Sequence, residues 1–176
     1  MHILIVGNTM SGKSNLAKSF ASQKQNVIVF DPLKSNGWPN SIAKFSDPDL
    51  FFKTIKQSSD AHIFCDEAKI LWDADKKEAD RLLYNRRHQG LLVYLIAQRT
   101  RMIPPNGRNQ CSRVFAFRQQ KDDADILAQE YTPEFTQCLN LRMGDFIGSD
   151  GFSTQSYHLD YSTGLPPKIV KNLQKS

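Results

Sequence analysis

The residues best suited to chemistry stand near the N-terminus, in the run GNTMSGKS from Gly7 to Ser14. This run fits the phosphate-loop (Walker A) pattern G-x-x-x-x-G-K-S. Glycines at both ends let the backbone curl so that N–H groups face phosphate oxygens, and the positive end of the following helix adds to the attraction. The lysine reaches the terminal phosphates and the serine hydroxyl ligates Mg²⁺. The pattern therefore predicts a site for ATP and Mg²⁺.

The surroundings of this run favour the same interpretation. Ile3 to Val6 is a short apolar run typical of a buried strand, and apolar residues recur at helical spacing from Leu16 to Ala21. The residues predicted to bind the nucleotide are Gly7, Asn8, Thr9, Met10, Ser11, Gly12, Lys13, Ser14 and Asn15.

An acidic pair, Asp66 and Glu67, follows a second apolar run in the stretch HIFCDEA. On a strand beside the phosphate-loop strand, both carboxylates would come next to the metal. Asp66 would then hold Mg²⁺ together with Ser14, and Glu67 would deprotonate the attacking water. Taken alone the pair is also typical of an ordinary strand end. An aspartate without the following glutamate would fit a kinase or a GTPase equally, so Glu67 favours hydrolysis.

The elements that must position these residues alternate between strands and helices. Strands are predicted at 3–6, 26–31, 61–65, 91–97 and 112–117, and helices after the phosphate loop, after Asp47-Pro48, at 73–88 and at 122–131. This order predicts an α/β fold with three layers and a mainly parallel central sheet. Together with the phosphate loop and the acidic pair, it predicts a P-loop NTPase of the ASCE type, in which a glutamate follows the Walker B aspartate. Glycines and alternating apolar residues after Leu139 predict a C-terminal antiparallel hairpin. We expect a single ATPase domain over 1–165 and a basic, loosely held C-terminal tail over 166–176.

Composition narrows the class of protein. Of the 176 residues, 40% are hydrophobic and 23% charged, which is typical of a globular protein. No apolar run approaches the roughly 18–20 residues of a membrane span. The apolar N-terminus has no basic region before it and reads as a strand, not a signal peptide. The formal net charge of +5 mildly favours polyanionic partners. The three scattered cysteines, Cys65, Cys111 and Cys138, predict neither disulfides nor a metal site.

Arginines surround the strand that runs from Leu91 to Ala97. Arg86 and Arg87 precede it, and Gln98, Arg99 and Arg101 follow its end. The first pair has an ordinary explanation, since cations are favourable at a helix C-terminus. The residues after the strand would either meet solvent or face an anion, a phosphate of ATP or of DNA.

The complete set of motifs in this order resembles the FtsK–HerA superfamily of ring-forming, DNA-pumping ATPases. Within it, the chain is most similar to the genome-packaging ATPases of tailless icosahedral viruses with an internal membrane. The stretches that carry the resemblance are VGNTMSGKS, VIVFDP, IFCDEA, RRHQGLLVYLIAQR, RVFAFRQQKDDADIL and LRMGDFIGSDG. The resemblance covers nearly the whole chain, because these stretches are distributed from Val6 to Gly151.

The resemblance implies roles for three residues. Gln98 would be the polar sensor of the γ-phosphate or of the attacking water. Arg87, or else Arg86, would be the arginine finger that reaches the ATP of a neighbouring subunit. The implied partners are double-stranded DNA, further copies of the chain in a ring, the proteins of the capsid portal vertex and viral membrane proteins. The implied location is the host cytoplasm or the packaging vertex of the virion.

Other functions remain open at this point. A small-molecule or nucleotide kinase would share the phosphate loop, although no lid segment is evident in the sequence. A filamentous-phage-assembly-type ATPase or another nucleotide-dependent adaptor is the second alternative, but the phage-assembly enzymes carry a membrane anchor. Lys34, Arg101 and Arg108 are the candidate DNA contacts, and each would equally suit ordinary surface charge.

Overall fold

A computed structural model describes residues 2–35, 37–84, 86–162 and 167–171, without the side chains of Arg86 and Arg87. The strands are β1 (His2–Val6), β2 (Val27–Phe30), β3 (Ser41–Phe45), β4 (His62–Cys65), β5 (Leu92–Ala97), β6 (Cys111–Ala116), β7 (Asp145–Ser149), β8 (Thr154–Asp160) and β9 (Lys168–Lys171). The α-helices are α1 (Lys13–Ala21), α2 (Pro48–Ile55), α3 (Lys69–Ala74), α4 (Lys76–Tyr84), α5 (Pro105–Arg108) and α6 (Lys121–Glu130). Short 3-10 helices cover Arg86–Gln89, Thr100–Met102 and Pro133–Asn140.

The strands form one sheet in the order β3-β2-β4-β5-β1-β6-β7-β8-β9. The first six are parallel to one another, and β7, β8 and β9 continue the sheet in antiparallel pairing. The antiparallel part begins with a hairpin in which Asp145 pairs with His158 and Ser149 with Thr154. The predicted α/β fold with a mainly parallel sheet and a C-terminal hairpin is thus confirmed.

The central strands are buried on both faces because their sequences are almost continuously apolar. All residues of β1 and β2 are buried. On one face, Leu16 and Ala17 of α1 pack with Ile5, Phe64 and Ile96 of the sheet. On the other face, the apolar sides of α2 and α4 complete a second core. Helices on both faces make the three predicted layers.

Local signals explain where the helices begin. Asp47 accepts a hydrogen bond from the backbone N–H of Leu50 at 2.9 Å, and Pro48 takes the first position of α2, as predicted. The helix predicted over 73–88 is shorter in the structure. Asp75 has an extended backbone, and its carboxylate accepts from the N–H of Glu78, so it separates α3 from α4. After α4 the chain passes into the 3-10 helix that contains Arg86 and Arg87.

Two edge strands were not predicted from the sequence. β3 lies at one edge of the sheet, where it pairs with β2, and its residues are exposed or half-buried. β9 lies at the other edge, inside the segment expected to be a loose basic tail. Among the helices of the described ranges, none is both long and apolar enough to span a membrane.

The position of β4 differs from the sequence expectation. The neighbours of β1 are β5 and β6, so β4 is one strand removed from the phosphate-loop strand. β5 lies between them and brings Gln98 directly beside the phosphate loop. Asp66 still reaches that loop because α1 packs across β1, β5 and β4.

Candidate functional site

The candidate site lies at the carboxyl edge of the parallel strands, where open α/β sheets bind their ligands. Three neighbouring strands end there on residues that the sequence analysis predicted for the site. The phosphate loop follows β1, the acidic pair follows β4, and Gln98 follows β5. Backbone hydrogen bonds hold the edge together, because Gly7 N–H donates to the Ala97 carbonyl and Ala68 N–H to the Ile96 carbonyl.

The phosphate loop turns tightly between β1 and α1. Met10 and Gly12 both have left-handed backbones, with φ of 62° and 113°. Glycine adopts this conformation readily, but a residue with a side chain is strained in it. A Cβ at Gly7 would lie 2.5 Å from Cβ of Phe117, so this end of the loop admits only glycine without movement.

Hydrogen bonds within the protein already engage part of the loop. The N–H of Asn8 donates to the Arg118 carbonyl at 3.0 Å, and the N–H of Ser11 donates to the Asn8 carbonyl at 3.2 Å. Lys13 Nζ donates to that same Asn8 carbonyl at 2.9 Å. Burial lowers the pKa of Lys13, and the nearby carboxylates of Glu67 and Asp66 oppose the shift. A phosphate oxygen would replace the carbonyl as the partner of this buried ammonium.

Asp66 and Ser14 form the contact best suited to a metal ion. Ser14 Oγ donates to Asp66 Oδ2 at 3.2 Å, and Asp66 is only 8% exposed. Burial raises the pKa of Asp66, with the Ser14 hydrogen bond opposing and the charges of Glu67 and Asp31 adding to the shift. One hydroxyl and one carboxylate fit Mg²⁺, which takes few protein ligands and completes its shell with water and phosphate oxygens.

Asp66 is expected to cost stability while the site holds no cation. We predict that Asp66→Asn raises the free energy of unfolding without added nucleotide by about 1 kcal/mol, or about 2–4 °C in Tm. The amide oxygen still accepts from Ser14, while the buried charge is removed. Because the folded protein binds the Asp66 proton more tightly than the unfolded chain does, stability falls as pH rises from about 4 through the raised pKa.

Thermal unfolding of both proteins across this pH range measures the effect. The difference in Tm between the variant and the parent protein should grow with pH through that window. A variant that is less stable than the parent at neutral pH would contradict the prediction.

Glu67 and Gln98 are brought into direct contact. Gln98 Nε2 donates to Glu67 Oε1 at 3.0 Å, and both side chains are half-buried. Glu67 has a left-handed backbone, with φ of 52°, which turns the chain sharply after β4. Non-glycine residues in this conformation cluster at functional sites. The arrangement places a carboxylate base and an amide, which both donates and accepts, beside the phosphate loop.

Asp31 is a further carboxylate at this sheet edge that the sequence analysis did not include among the candidate site residues. It follows β2, and because Phe30 is in register with Cys65, Asp31 lies beside Asp66 at the sheet edge. Its Oδ2 accepts from Ser35 and from the Trp38 indole at 2.7 and 3.1 Å, whereas the buried Oδ1 has no hydrogen-bond partner among the residues that the structure describes. The signal was present in the sequence, because VIVFD repeats the pattern of an apolar strand ending on aspartate seen in HIFCD.

The arginines expected to face an anion face carboxylates of the same chain. Arg99 Nε lies 2.8 Å from Oδ2 of the fully buried Asp123, and the backbone N–H and Nε of Arg101 donate to Oδ1 of Asp123 at 3.0 and 3.3 Å. Arg101 also reaches Asp122 at 2.8 Å. The anion is therefore supplied by α6, which anchors the loop that follows Gln98.

The remaining basic residues that were candidates for DNA contact or for the arginine finger differ in their exposure and in how far the structure describes them. Arg108 is 5% exposed and donates to both carboxylate oxygens of Glu130 at 2.6 and 2.5 Å, so its proposal as a DNA contact was wrong. Lys34 is exposed and stays a candidate. The side chains of Arg86 and Arg87 lie outside the described part of the structure, which gives only the 3-10 backbone that bears them.

Comparison with solved structures gives a clear result for the fold. The genome packaging NTPase B204 from Sulfolobus turreted icosahedral virus 2, in complex with AMPPCP, superposes with a TM-score of 0.71 at 19% identity, over 97% of each chain. The chain has the fold of this packaging NTPase. B204, the DNA-packaging ATPase from Sulfolobus turreted icosahedral virus, also gives 0.71, at 18% identity over 98% of each chain.

A more distant likeness extends to another class of protein. The pCW3 conjugation coupling protein TcpA with ATPγS gives a TM-score of 0.68 at 16% identity, over 89% of this chain and 59% of that one. No protein-family model and no curated protein sequence matches the chain. These likenesses, at 16–19% identity, show the fold of the chain.

Proposed function

We propose that the protein is an ATPase that couples hydrolysis to the movement of double-stranded DNA and packages a viral genome into a preformed capsid. The observation that carries the proposal is the 3.0 Å contact between Glu67 and Gln98 next to the phosphate loop. This contact brings Glu67, the proposed base that deprotonates water, next to Gln98, the proposed polar sensor, at one edge of the sheet. The fold shared with packaging NTPases supports the DNA-coupled part of the proposal.

The chain's own residues divide the work of hydrolysis. The phosphate loop holds the triphosphate, and Lys13 exchanges its bond to the Asn8 carbonyl for a phosphate oxygen. Mg²⁺, held by Ser14 and Asp66, would neutralise charge on the phosphates when bound. Glu67 accepts the proton of the attacking water, and the Gln98 amide orients that water or contacts the γ-phosphate. Because Gln98 donates to Glu67, movement of the amide towards a phosphate would release the carboxylate.

Assembly completes the site in this proposal. Arg87, or else Arg86, reaches the nucleotide of a neighbouring copy in a homo-oligomeric ring and stabilises charge on the transferring phosphoryl group. The ring would act at the packaging vertex of the virion, against portal proteins and viral membrane proteins. Lys34 would belong to the basic loops that follow the DNA backbone.

DNA dependence tests the proposal directly. We expect the ATPase rate of the full chain to rise with duplex DNA and the rise to weaken with added salt, because contacts to phosphates release counterions. The measurement is phosphate release against DNA concentration at two ionic strengths. An ATPase rate that does not change with DNA concentration at either ionic strength would contradict the proposal. Transfer of ³²P from ATP to a nucleoside monophosphate would instead identify a kinase.

A further inference from the structure

The segment that follows Gln98 is held by a carboxylate of another element. Gln98 is followed by Arg99, whose backbone is extended, and by the 3-10 turn Thr100–Met102. The backbone N–H of Arg101, inside this turn, donates to Asp123 Oδ1 at 3.0 Å, and Arg99 Nε donates to Asp123 Oδ2 at 2.8 Å. Asp123 is fully buried on α6. One carboxylate thus fixes both the main chain and a side chain in the residues directly after Gln98.

This anchor differs from a surface ion pair because its acceptor is buried. The Asp123 side chain is 0% exposed, whereas those of Arg99 and Arg101 are 32% and 43% exposed. Leaving a buried carboxylate unpaired costs far more than breaking an exposed pair, so Asp123 retains these partners. Within the described part of the chain, the buried Thr100 hydroxyl has no hydrogen-bond partner and adds no side-chain bond to the anchor.

Asp123 also stands close in the chain to a contact of the phosphate loop. The carbonyl of Arg118, after β6, accepts from the N–H of Asn8 at 3.0 Å. From there the chain passes directly into α6, where the N–H of Asp123 donates to the Gln120 carbonyl at 3.1 Å. Asp123 therefore joins the connection that contacts the phosphate loop to the residues after Gln98.

We propose that Asp123 is a positioning residue that keeps the Gln98 amide beside the phosphate loop, where it can contact the attacking water or the γ-phosphate. Ala97, just before Gln98, accepts from the Gly7 N–H. Arg99, just after it, is bound to Asp123, so Gln98 lies between two fixed points. A displacement of about 1 Å can lower a rate about 10²-fold, so loss of the anchor should lower turnover. The proposal rests on the proposed function in taking ATP hydrolysis as the reaction.

Replacing Asp123 with asparagine tests this role. Asparagine has the same size and still offers one acceptor oxygen, but it cannot bind both arginines as a carboxylate does. We expect kcat for ATP with duplex DNA to fall about 10–100-fold, while the affinity for Mg-AMPPNP changes less than about threefold. Asp122→Asn is the matched control, because the Asp122 side chain is 73% exposed and its bond to Arg101 lies at the surface. It should change neither quantity.

A double-mutant cycle separates positioning from general support of the fold. If Asp123 acts through Gln98, adding Asp123→Asn to Gln98→Ala should lower kcat further by less than about threefold. A further loss as large as the one seen when Gln98 is present would overturn the proposal, as would an unchanged kcat in Asp123→Asn. Arg99→Gln removes the half-exposed partner instead and should follow the same pattern, so the test remains decisive if Asp123→Asn folds poorly.

Amide hydrogen exchange gives a second readout, which needs no turnover. In the wild type, Mg-AMPPNP should slow exchange over residues 98–102, and this protection should be at least about fivefold smaller in Asp123→Asn. Equal protection in the two proteins would contradict the positioning role. If the protection differs as expected but the wild type shows no ATPase activity with duplex DNA, the proposed function fails while Asp123 still positions Gln98.

Discussion

Replacing Glu67 with glutamine is expected to lower ATP turnover by about 10²–10⁴-fold while ATP binding persists. Glutamine has the same shape and can still accept a hydrogen bond from Gln98, so the sheet edge keeps its geometry. It cannot take a proton from water. Phosphate release and ATP affinity, measured on the same preparation with duplex DNA, separate the two effects.

Glu134→Gln is the matched control for this prediction. Glu134 is an exposed residue of the 3-10 helix Pro133–Asn140, and its side chain contacts Thr132, outside the site. The same chemical change there should leave turnover unchanged. If Glu67→Gln hydrolyses ATP at the wild-type rate, Glu67 is not the base, and the proposed mechanism is wrong.

Replacing Arg87 with alanine is expected to lower turnover of the assembled protein by about 10³–10⁵-fold, the effect typical of losing an arginine finger. The reason is that charge on the transferring phosphoryl group would lose its partner from the neighbouring copy. Arg86→Ala is the adjacent control and should have a small effect if Arg87 is the finger. The reverse result would transfer the role to Arg86.

Mixing two inactive variants tests whether the arginine acts between copies. In a ring that contains Glu67→Gln and Arg87→Ala copies, some interfaces combine an intact Glu67 with an intact Arg87 of the neighbour. Activity should therefore return when the two variants are mixed, and it should depend on their ratio. A mixture as inactive as its components would exclude catalysis across an interface by this pair.

The parts of the site that were predictable from sequence are those encoded within a few neighbouring residues. The phosphate loop, Asp66 and Glu67 each sit where an apolar strand gives way to polar residues, and the register of parallel strands brings such ends together. The position of Gln98 beside the phosphate loop follows from the pairing of β5 with β1. Its contact with Glu67 depends on a left-handed turn that no local pattern indicates.

The misjudged residues depend on partners far away in the chain. Arg99 and Arg101 find Asp123, and Arg108 finds Glu130, across separations of 22 to 24 residues. Spacing around each arginine cannot reveal a buried carboxylate on α6. Asp31 ends its strand in the same pattern as Asp66, but its place beside Asp66 depends on the pairing of β2 with β4. Edge strands β3 and β9 each pair with one neighbouring strand, and their residues are exposed or half-buried, so their apolar patterns are weak.

The close approach of Gly12 to the C-terminal strands affects the choice of an inactive reference protein. A Cβ at Gly12 would lie 2.8 Å from Cδ1 of Leu159 on β8, and the backbone there has φ of 113°. Gly12→Ala would therefore disturb the anchoring of the antiparallel strands as well as the phosphate loop. A loss of nucleotide affinity in that variant could then not be attributed to the phosphate loop alone, because the antiparallel strands would be disturbed as well. Lys13→Ala removes one ammonium and its bond to Asn8, so it is the cleaner reference for binding studies.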